Sequence, residues 1–255
     1  MSEKIKRVEI NGFRYYQVST DSHIIGTFPS VTTVLGETSD KTGLNAWRDR
    51  VGHQKADQIG KDAANRGTVM HRLCEIYLNL PASLSAKDRL EETLSLSRLD
   101  DEIEQFDNRA KIVGGTLFYN FIKSKSFDEI KKVIAQERFL WTPRDGGYAG
   151  TVDNVSQLIT DDYAIVDFKT ARKPKDERWI EDYKHQVSAY AVAVWDRMQI
   201  KTTHCQIWIS NEVDDKPQHF TMNAAEMKEY YFKFRERLAK FYEMHPVESP
   251  KPEIL

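Results

Sequence analysis

The hydrophobic positions of this chain change their period about halfway along it. In the first half they recur in steps of three and four. Leu44, Trp47, Val51 and Ile59 predict a helix over 44–64, and Thr68, Val69, Leu73, Ile76, Tyr77 and Leu80 predict a second that Pro81 ends. Asn65-Arg66-Gly67 reads as a break between them. A polar stretch over 81–98 reads as a surface linker leading into a further helix. Ile103, Phe106, Ala110, Val113, Leu117, Phe118 and Phe121 then carry the helical spacing to Lys123. Ahead of these helices, residues 8–18 with Ile24, Ile25 and Phe28 predict a small hairpin. The segment Ser30-Val31-Thr32-Thr33-Val34-Leu35-Gly36 predicts a short helix, with Ser30 as its cap and Gly36 as its stop.

The second half alternates with period two. Residues 132–141 read as a strand, Asp145-Gly146-Gly147 as a hairpin turn, and 148–159 as the partner strand. Residues 163–169 follow the Asp161-Asp162 turn as a third strand. A helix over 178–198, a strand over 204–210, a shorter strand over 218–222 and an amphipathic helix over 223–245 complete the order. The core order is thus α, β, β, β, α, β. It predicts an α/β (α+β) fold with a central mixed sheet and a helical N-terminal half packed over it. One unit over 1–255 is expected, divided into a hairpin (1–30), a helical region (31–125) and a sheet core (130–255).

Composition adds exclusions. With 255 residues, 40% hydrophobic and 30% charged, the chain can form a substantial core, burying about 73% of its unfolded surface. Lys+Arg 37 against Asp+Glu 39 excludes a strongly basic DNA-coating protein, but not an enzyme with a local basic groove. The two cysteines, Cys74 and Cys205, cannot build a disulfide framework or a four-cysteine cluster, and are read as reduced thiols. No apolar run approaches the ~18 residues that span a bilayer, and the first residues carry no apolar signal region. These features predict a cytoplasmic protein without membrane association, of bacterial origin or encoded by a phage.

The chemistry concentrates in two short stretches. Asp153 ends Gly150-Thr151-Val152-Asp153, inside the predicted hairpin. Asp167 and Lys169 stand two apart on the next strand, so both point to one face. If those strands pair, two carboxylates converge beside a lysine. That set suits a hard divalent cation such as Mg²⁺, with the lysine outside the ligands, where it can orient an attacking water or offset phosphate charge. An Asp-x-Lys pattern is also what an ordinary exposed edge strand shows. Here Ile165, Val166 and Phe168 make the strand apolar, and an unpaired aspartate inside it is costly. Gln186 and Tyr190, four apart, share one helix face. His71 lies on the helix opened by Gly67-Thr68 and can complete a carboxylate site. Glu75, one turn later, either orients His71 or pairs with Arg72 or Arg66.

Taken together, Gly67-Thr68-Val69-Met70-His71, Glu137, Gly150-Thr151-Val152-Asp153, Asp167-Phe168-Lys169 and Gln186-Val187-Ser188-Ala189-Tyr190 stand in the order of the RecB-like branch of the PD-(D/E)xK nuclease superfamily. The chain resembles that branch. Ser30-Val31-Thr32, Trp47 and Ala63 extend the resemblance toward the group of the mitochondrial genome maintenance exonuclease and its phage and bacterial relatives. The resemblance implies a restriction-endonuclease-like fold and a metal-dependent deoxyribonuclease. It implies Asp153, Asp167, His71 and the Phe168 backbone carbonyl as ligands of Mg²⁺ or Mn²⁺, and Lys169 as the catalytic lysine. Gln186 would steady the lysine or the attacking water, Tyr190 would contact the substrate phosphate, and Glu137 matches the first-strand acid.

The cysteine count predicts no iron–sulfur cluster, and the lack of a GxxxxGK[ST] sequence predicts no ATP-driven motor in this chain. DNA is the expected partner, with replication or recombination proteins beside it. A single strand would be held by cations and aromatic platforms. Candidates are Arg48, Arg50, Lys55, Lys61 and Arg66 on the early helices, Arg172, Lys173 and Lys175 after the catalytic strand, and Trp47, Trp179 and Tyr183 for stacking. Trp47 equally fits a core position. An exonuclease favouring single-stranded ends is the expected function. A structure-specific endonuclease on the same site, or a non-catalytic DNA clamp, are its alternatives.

Overall fold

The computed structural model describes residues 3–246; the ends of the expected unit, 1–2 and 247–255, lie outside the described residues. Three strands open the chain, β1 (Lys4–Ile10), β2 (Phe13–Ser19) and β3 (Ile24–Pro29), paired in that order as an antiparallel sheet. The expected hairpin is therefore a three-stranded meander. Its first turn is Asn11-Gly12, both at positive φ, which matches the twist of a two-residue hairpin. Phe28 leaves this sheet to stack on Trp141 at 5.4 Å between ring centroids.

Helix α1 (Val31–Thr38) starts at Ser30, whose side chain accepts the Thr33 N–H. It runs past the expected stop at Gly36, because Val34 and Leu35 stay buried in the main core. The helix expected over 44–64 is instead divided. Helix α2 (Thr42–Val51) ends at Gly52, whose φ of 87° no other residue type holds without strain, and α3 (His53–Asn79) begins beyond it. Helix α3 passes without interruption through Asn65-Arg66-Gly67, against the expected break. A glycine costs a helix about 1 kcal/mol, and the packing of Val69, Met70, Leu73 and Cys74 in a shared core outweighs that. The polar stretch beyond holds α4 (Ala86–Ser97) and the short α5 (Asp101–Glu104), capped by Ser85 and Asp100. Asp107 caps α6 (Asn108–Lys123) through the Ala110 N–H, dividing what the spacing predicted as one helix from Ile103.

The remaining strands form a five-stranded sheet in chain order: β4 (Ile130–Thr142), β5 (Tyr148–Leu158), β6 (Tyr163–Ala171), β7 (His204–Asn211) and β8 (Gln218–Asn223). All pairs are antiparallel except β6 with β7, joined through α7 (Glu181–Met198), so the sheet is mixed as expected. Helix α8 (Ala224–Met244) closes the described chain behind an Asn223–Glu226 capping box. The sheet separates two helical layers. On one face α1, α7 and α8 pack over Val152, Val155, Ile165, Cys205, Ile207 and Ile209. On the other, α3 and α6 pack over Val166, Phe168 and Trp208. Among the described residues no helix is long and apolar enough to cross a membrane.

Candidate active site

The site begins where two strands part. Pairing of β5 with β6 runs from Gln157 and Tyr163 to Asn154 and Val166, and goes no further. Asp153 and Asp167 are the next residues on each strand, so they flank the opening. The Phe168 N–H, freed from the ladder, donates to Asp153 Oδ2 at 2.9 Å. A strand residue sends its N–H and C=O to the same edge, so the Phe168 carbonyl faces this gap as well.

Each side of the sheet contributes differently. Strand parity sends Phe168 to the α3 and α6 layer, and Asp167 and Lys169 with Ile165 to the α7 side. There Gln186 Nε2 donates to Asp167 Oδ1 at 3.3 Å. Lys169 Nζ lies 2.5 Å from Asp167 Oδ2, a close ion pair at a buried carboxylate. The Tyr183 ring lies 5.3 Å from Lys169 Nζ. Tyr190 packs across the Cα of Gly150: a Cβ there would come within 2.7 Å of the phenol oxygen. Gly150 is thus required by this close approach.

From the α3 side comes His71, with Nδ1 3.5 Å from Asp153 Oδ2. The register of Gln136 with Asn154 and Arg138 with Val152 sets Glu137 across from Asp153. Glu137 holds a φ of 42° in mid-strand, a left-handed backbone rare for such a residue. Ligand atoms of His71, Glu137 and Asp153 lie within 4.8 Å of one another. Asp167 stands outside this group, its carboxylate turned to Lys169 and Gln186. His71, Glu137, Thr68, Arg72, Glu75 and Glu102 line a cavity of about 520 Å³.

The electrostatics fit a cation. Burial pushes the Asp167 carboxyl up to about 7, with Lys169 drawing it down and Asp153 pushing it further. Loss of hydration in the cavity, then repulsion from Asp153 and Glu75, push Glu137 up to about 8, although part of its side chain reaches solvent. Burial holds the His71 imidazole below its ordinary value, so at neutral pH it keeps a lone pair for a metal. Burial opposes the charge of Lys169, but Asp167 and Asp153 raise it, and the ammonium stays protonated. Crowded carboxylates and a neutral imidazole form a donor set suited to a hard divalent ion.

The structure therefore brings together His71, Glu137, Asp153, Asp167, Phe168, Lys169, Gln186 and Tyr190. Glu75 takes the ordinary course and pairs with Arg72 at 2.5 Å. Of the residues expected to hold DNA, Lys55, Arg66 and Arg172 line one cavity of about 480 Å³, together with Arg109, which the sequence reading missed. Arg66 is paired there with Glu212 at 3.1 Å. Arg66 of α3 lines this cavity and Thr68, two residues on, lines the acidic one. Arg48 is held by Asp57 at 2.6 Å, and Trp47 is half-buried on a helix with no buried residue. Lys173 is exposed. The Lys175 backbone is clasped by the Gln218 side chain, and Trp179 is 65% exposed. Glu102 and Arg109 gave no sequence signal, because only the packing of α5 and α6 on α3 brings them near.

No curated protein matches the chain. Among solved structures, a "Putative exonuclease" from Eubacterium rectale is similar at 13% identity and a TM-score of 0.39, over 67% of this chain and 67% of that one. SSO0001 is similar at 12% identity and a TM-score of 0.34, over 73% of this chain and 87% of that one. The family model of the PD-(D/E)XK nuclease superfamily matches residues 44–248, which include every residue of the site built above. This chain belongs to the PD-(D/E)XK nuclease superfamily.

Proposed function

We propose that the protein is a divalent-metal-dependent DNA exonuclease that prefers single-stranded ends. The observation that carries the metal chemistry is the grouping of His71, Glu137 and Asp153 within 4.8 Å, beside the Asp167–Lys169 pair. The residues fit Mg²⁺ or Mn²⁺, which Asp153, His71, Asp167 and the Phe168 carbonyl would hold, with Glu137 as a further donor. When bound, such an ion polarises a phosphate oxygen and acidifies a water.

The chain's own groups do the rest. Lys169, kept protonated by two aspartates, faces charge that builds on the phosphate. Gln186 holds Asp167 in place. Burial pushes the Tyr190 phenol up, so it stays a neutral donor for a phosphate oxygen. The cavity of Lys55, Arg66, Arg109 and Arg172 supplies backbone contacts without sequence readout. The exonuclease and single-strand parts rest on the upstream resemblance and on the helical layer of α3 and α6 beside the site.

Linear end-labelled and circular single-stranded DNA, incubated in parallel with Mg²⁺, Mn²⁺ or EDTA, test the proposal. Metal-dependent loss of the linear strand alone is the expected result. Cutting of the circle would establish an endonuclease, and binding without cutting a clamp.

A further inference from the structure

The N-terminal meander has no part in the chemistry so far, yet its second strand touches the site. The Arg14 carbonyl accepts the Ser30 N–H at 3.1 Å, and Ser30 in turn bridges to Ala149, the residue before Gly150. Gly150 is where the Tyr190 phenol rests. Arg14, Ser30 and Tyr190 are therefore consecutive neighbours along the α7 edge of the site, away from the α3 side that holds His71.

Arg14 is also a half-buried cation. Its guanidinium donates to Thr32 Oγ1, and Thr32 Oγ1 lies 3.2 Å from Ser30 Oγ. Its Nε is buried without a partner. Glu9 stands opposite it across the β1–β2 ladder, but among the described residues no carboxylate lies within ion-pair distance of it; of the other arginines without such a partner only Arg89 is also half-buried, and Arg89 lies over the Tyr77 ring. The Arg14 charge reaches the site, for it draws the Tyr190 phenol down against the burial that raises it. A half-buried arginine positioned by hydroxyls and not locked in an ion pair suits a phosphate, which a planar fork grips with two donors.

We propose that Arg14, positioned by Thr32, binds a backbone phosphate of the DNA strand next to the one that Tyr190 contacts. This rests on the nuclease reading of the site, and it gives the Ser30-Val31-Thr32 segment a role: it fixes the arginine and ties the meander to β5. The contact is electrostatic and independent of base sequence.

The test uses the full chain, a labelled linear single-stranded oligonucleotide, and Ca²⁺ in place of Mg²⁺ for equilibrium binding. Kd is measured against salt for wild type, Arg14→Met, Arg14→Lys, Thr32→Val and Arg7→Met. Arg7 lies exposed on β1 and serves as the control for net charge. Loss of one phosphate contact on a single strand lowers the slope of log K against log salt by about 0.7. Arg14→Met is expected to show that change, with Kd weakened about tenfold. Arg14→Lys should keep the slope but bind more weakly than wild type, and Thr32→Val should fall between them. Arg7→Met should match wild type in slope. With Mg²⁺, Arg14→Met should raise KM more than it lowers kcat. An unchanged slope and KM in a folded Arg14→Met protein would overturn the proposal, as would equal changes in Arg7→Met. Were Arg14→Met to unfold, Arg14→Lys with wild-type Kd and KM would overturn it equally. A wild-type protein that neither binds nor cuts DNA would overturn the underlying reading instead.

Discussion

Replacing Glu137 separates two costs that the site carries. The residue stands in mid-strand at a φ of 42°, across from Asp153, with its carboxyl near those of Glu75 and Glu102. A left-handed backbone costs a residue with a Cβ about 1–2 kcal/mol. Glu137→Ala removes the carboxylate and keeps that strain. Glu137→Gly removes both, but the freer unfolded chain takes back about 0.5–1 kcal/mol. The glycine variant should therefore exceed the alanine variant by about 0.5–1 kcal/mol, or about 1–4 °C in Tm for a domain of this size. Both should be at least as stable as wild type without metal, because repulsion around Asp153 falls. Urea and thermal unfolding in EDTA read the stability. Both variants should lose nuclease activity at least about tenfold, the scale on which groups around a metal act. Equal stability of the two variants would refute the stored strain. Full activity in both would remove Glu137 from the site.

Gly150→Ala puts a Cβ within 2.7 Å of the Tyr190 phenol, so a stability loss of about 1–3 kcal/mol and a fall in cleavage are expected. Adding Tyr190→Phe should recover part of that stability in a double-mutant cycle, while a purely additive result would contradict the contact. Burial opposes ionisation of Asp182, but hydrogen bonds with His185, Arg237 and Ser39 hold its carboxyl well below the usual range. A depressed carboxylate stabilises the fold above its unfolded value of about 3.9, and that stabilisation is lost as pH falls toward the folded value. Asp182→Ala should therefore cost about 1–2 kcal/mol at pH 7, and chemical denaturation should show the gap closing below about pH 4. Mg²⁺ or Mn²⁺ at about 100 times its Kd should raise wild-type stability by about 2.7 kcal/mol. EDTA should reverse this, and calorimetric melting shows it.

The sheet was legible because its strands carry their own period. Val166 and Phe168 alternate with Asp167 and Lys169, and that alternation alone placed the two polar residues on one face. The helical half was harder. Gly67 reads as a breaker, yet α3 crosses it because the buried residues that follow hold the helix against the sheet and α6. Gly52 falls inside the helix expected over 44–64, yet it divides α2 from α3 with a φ of 87°. Sequence alone cannot rank these two glycines, because tertiary packing makes the difference. At the site, the order of His71, Asp153, Asp167, Lys169, Gln186 and Tyr190 was visible. The parting of β5 and β6 after Asn154, the strained turn of Glu137 toward Asp153 and the docking of Arg14 on Thr32 were not. Each depends on contacts between segments far apart in the chain.

The most direct test of the account pairs metal binding with cleavage in one protein. Mn²⁺ binding by calorimetry and single-turnover cutting of linear single-stranded DNA would be measured for wild type and Asp153→Asn. The substitution keeps an acceptor for the Phe168 N–H and removes the charge between His71 and Glu137. The account predicts Mn²⁺ binding and metal-dependent cutting in wild type, with both lost together in a folded Asp153→Asn protein. Cutting that persists in EDTA, or in Asp153→Asn at the wild-type rate, would contradict it.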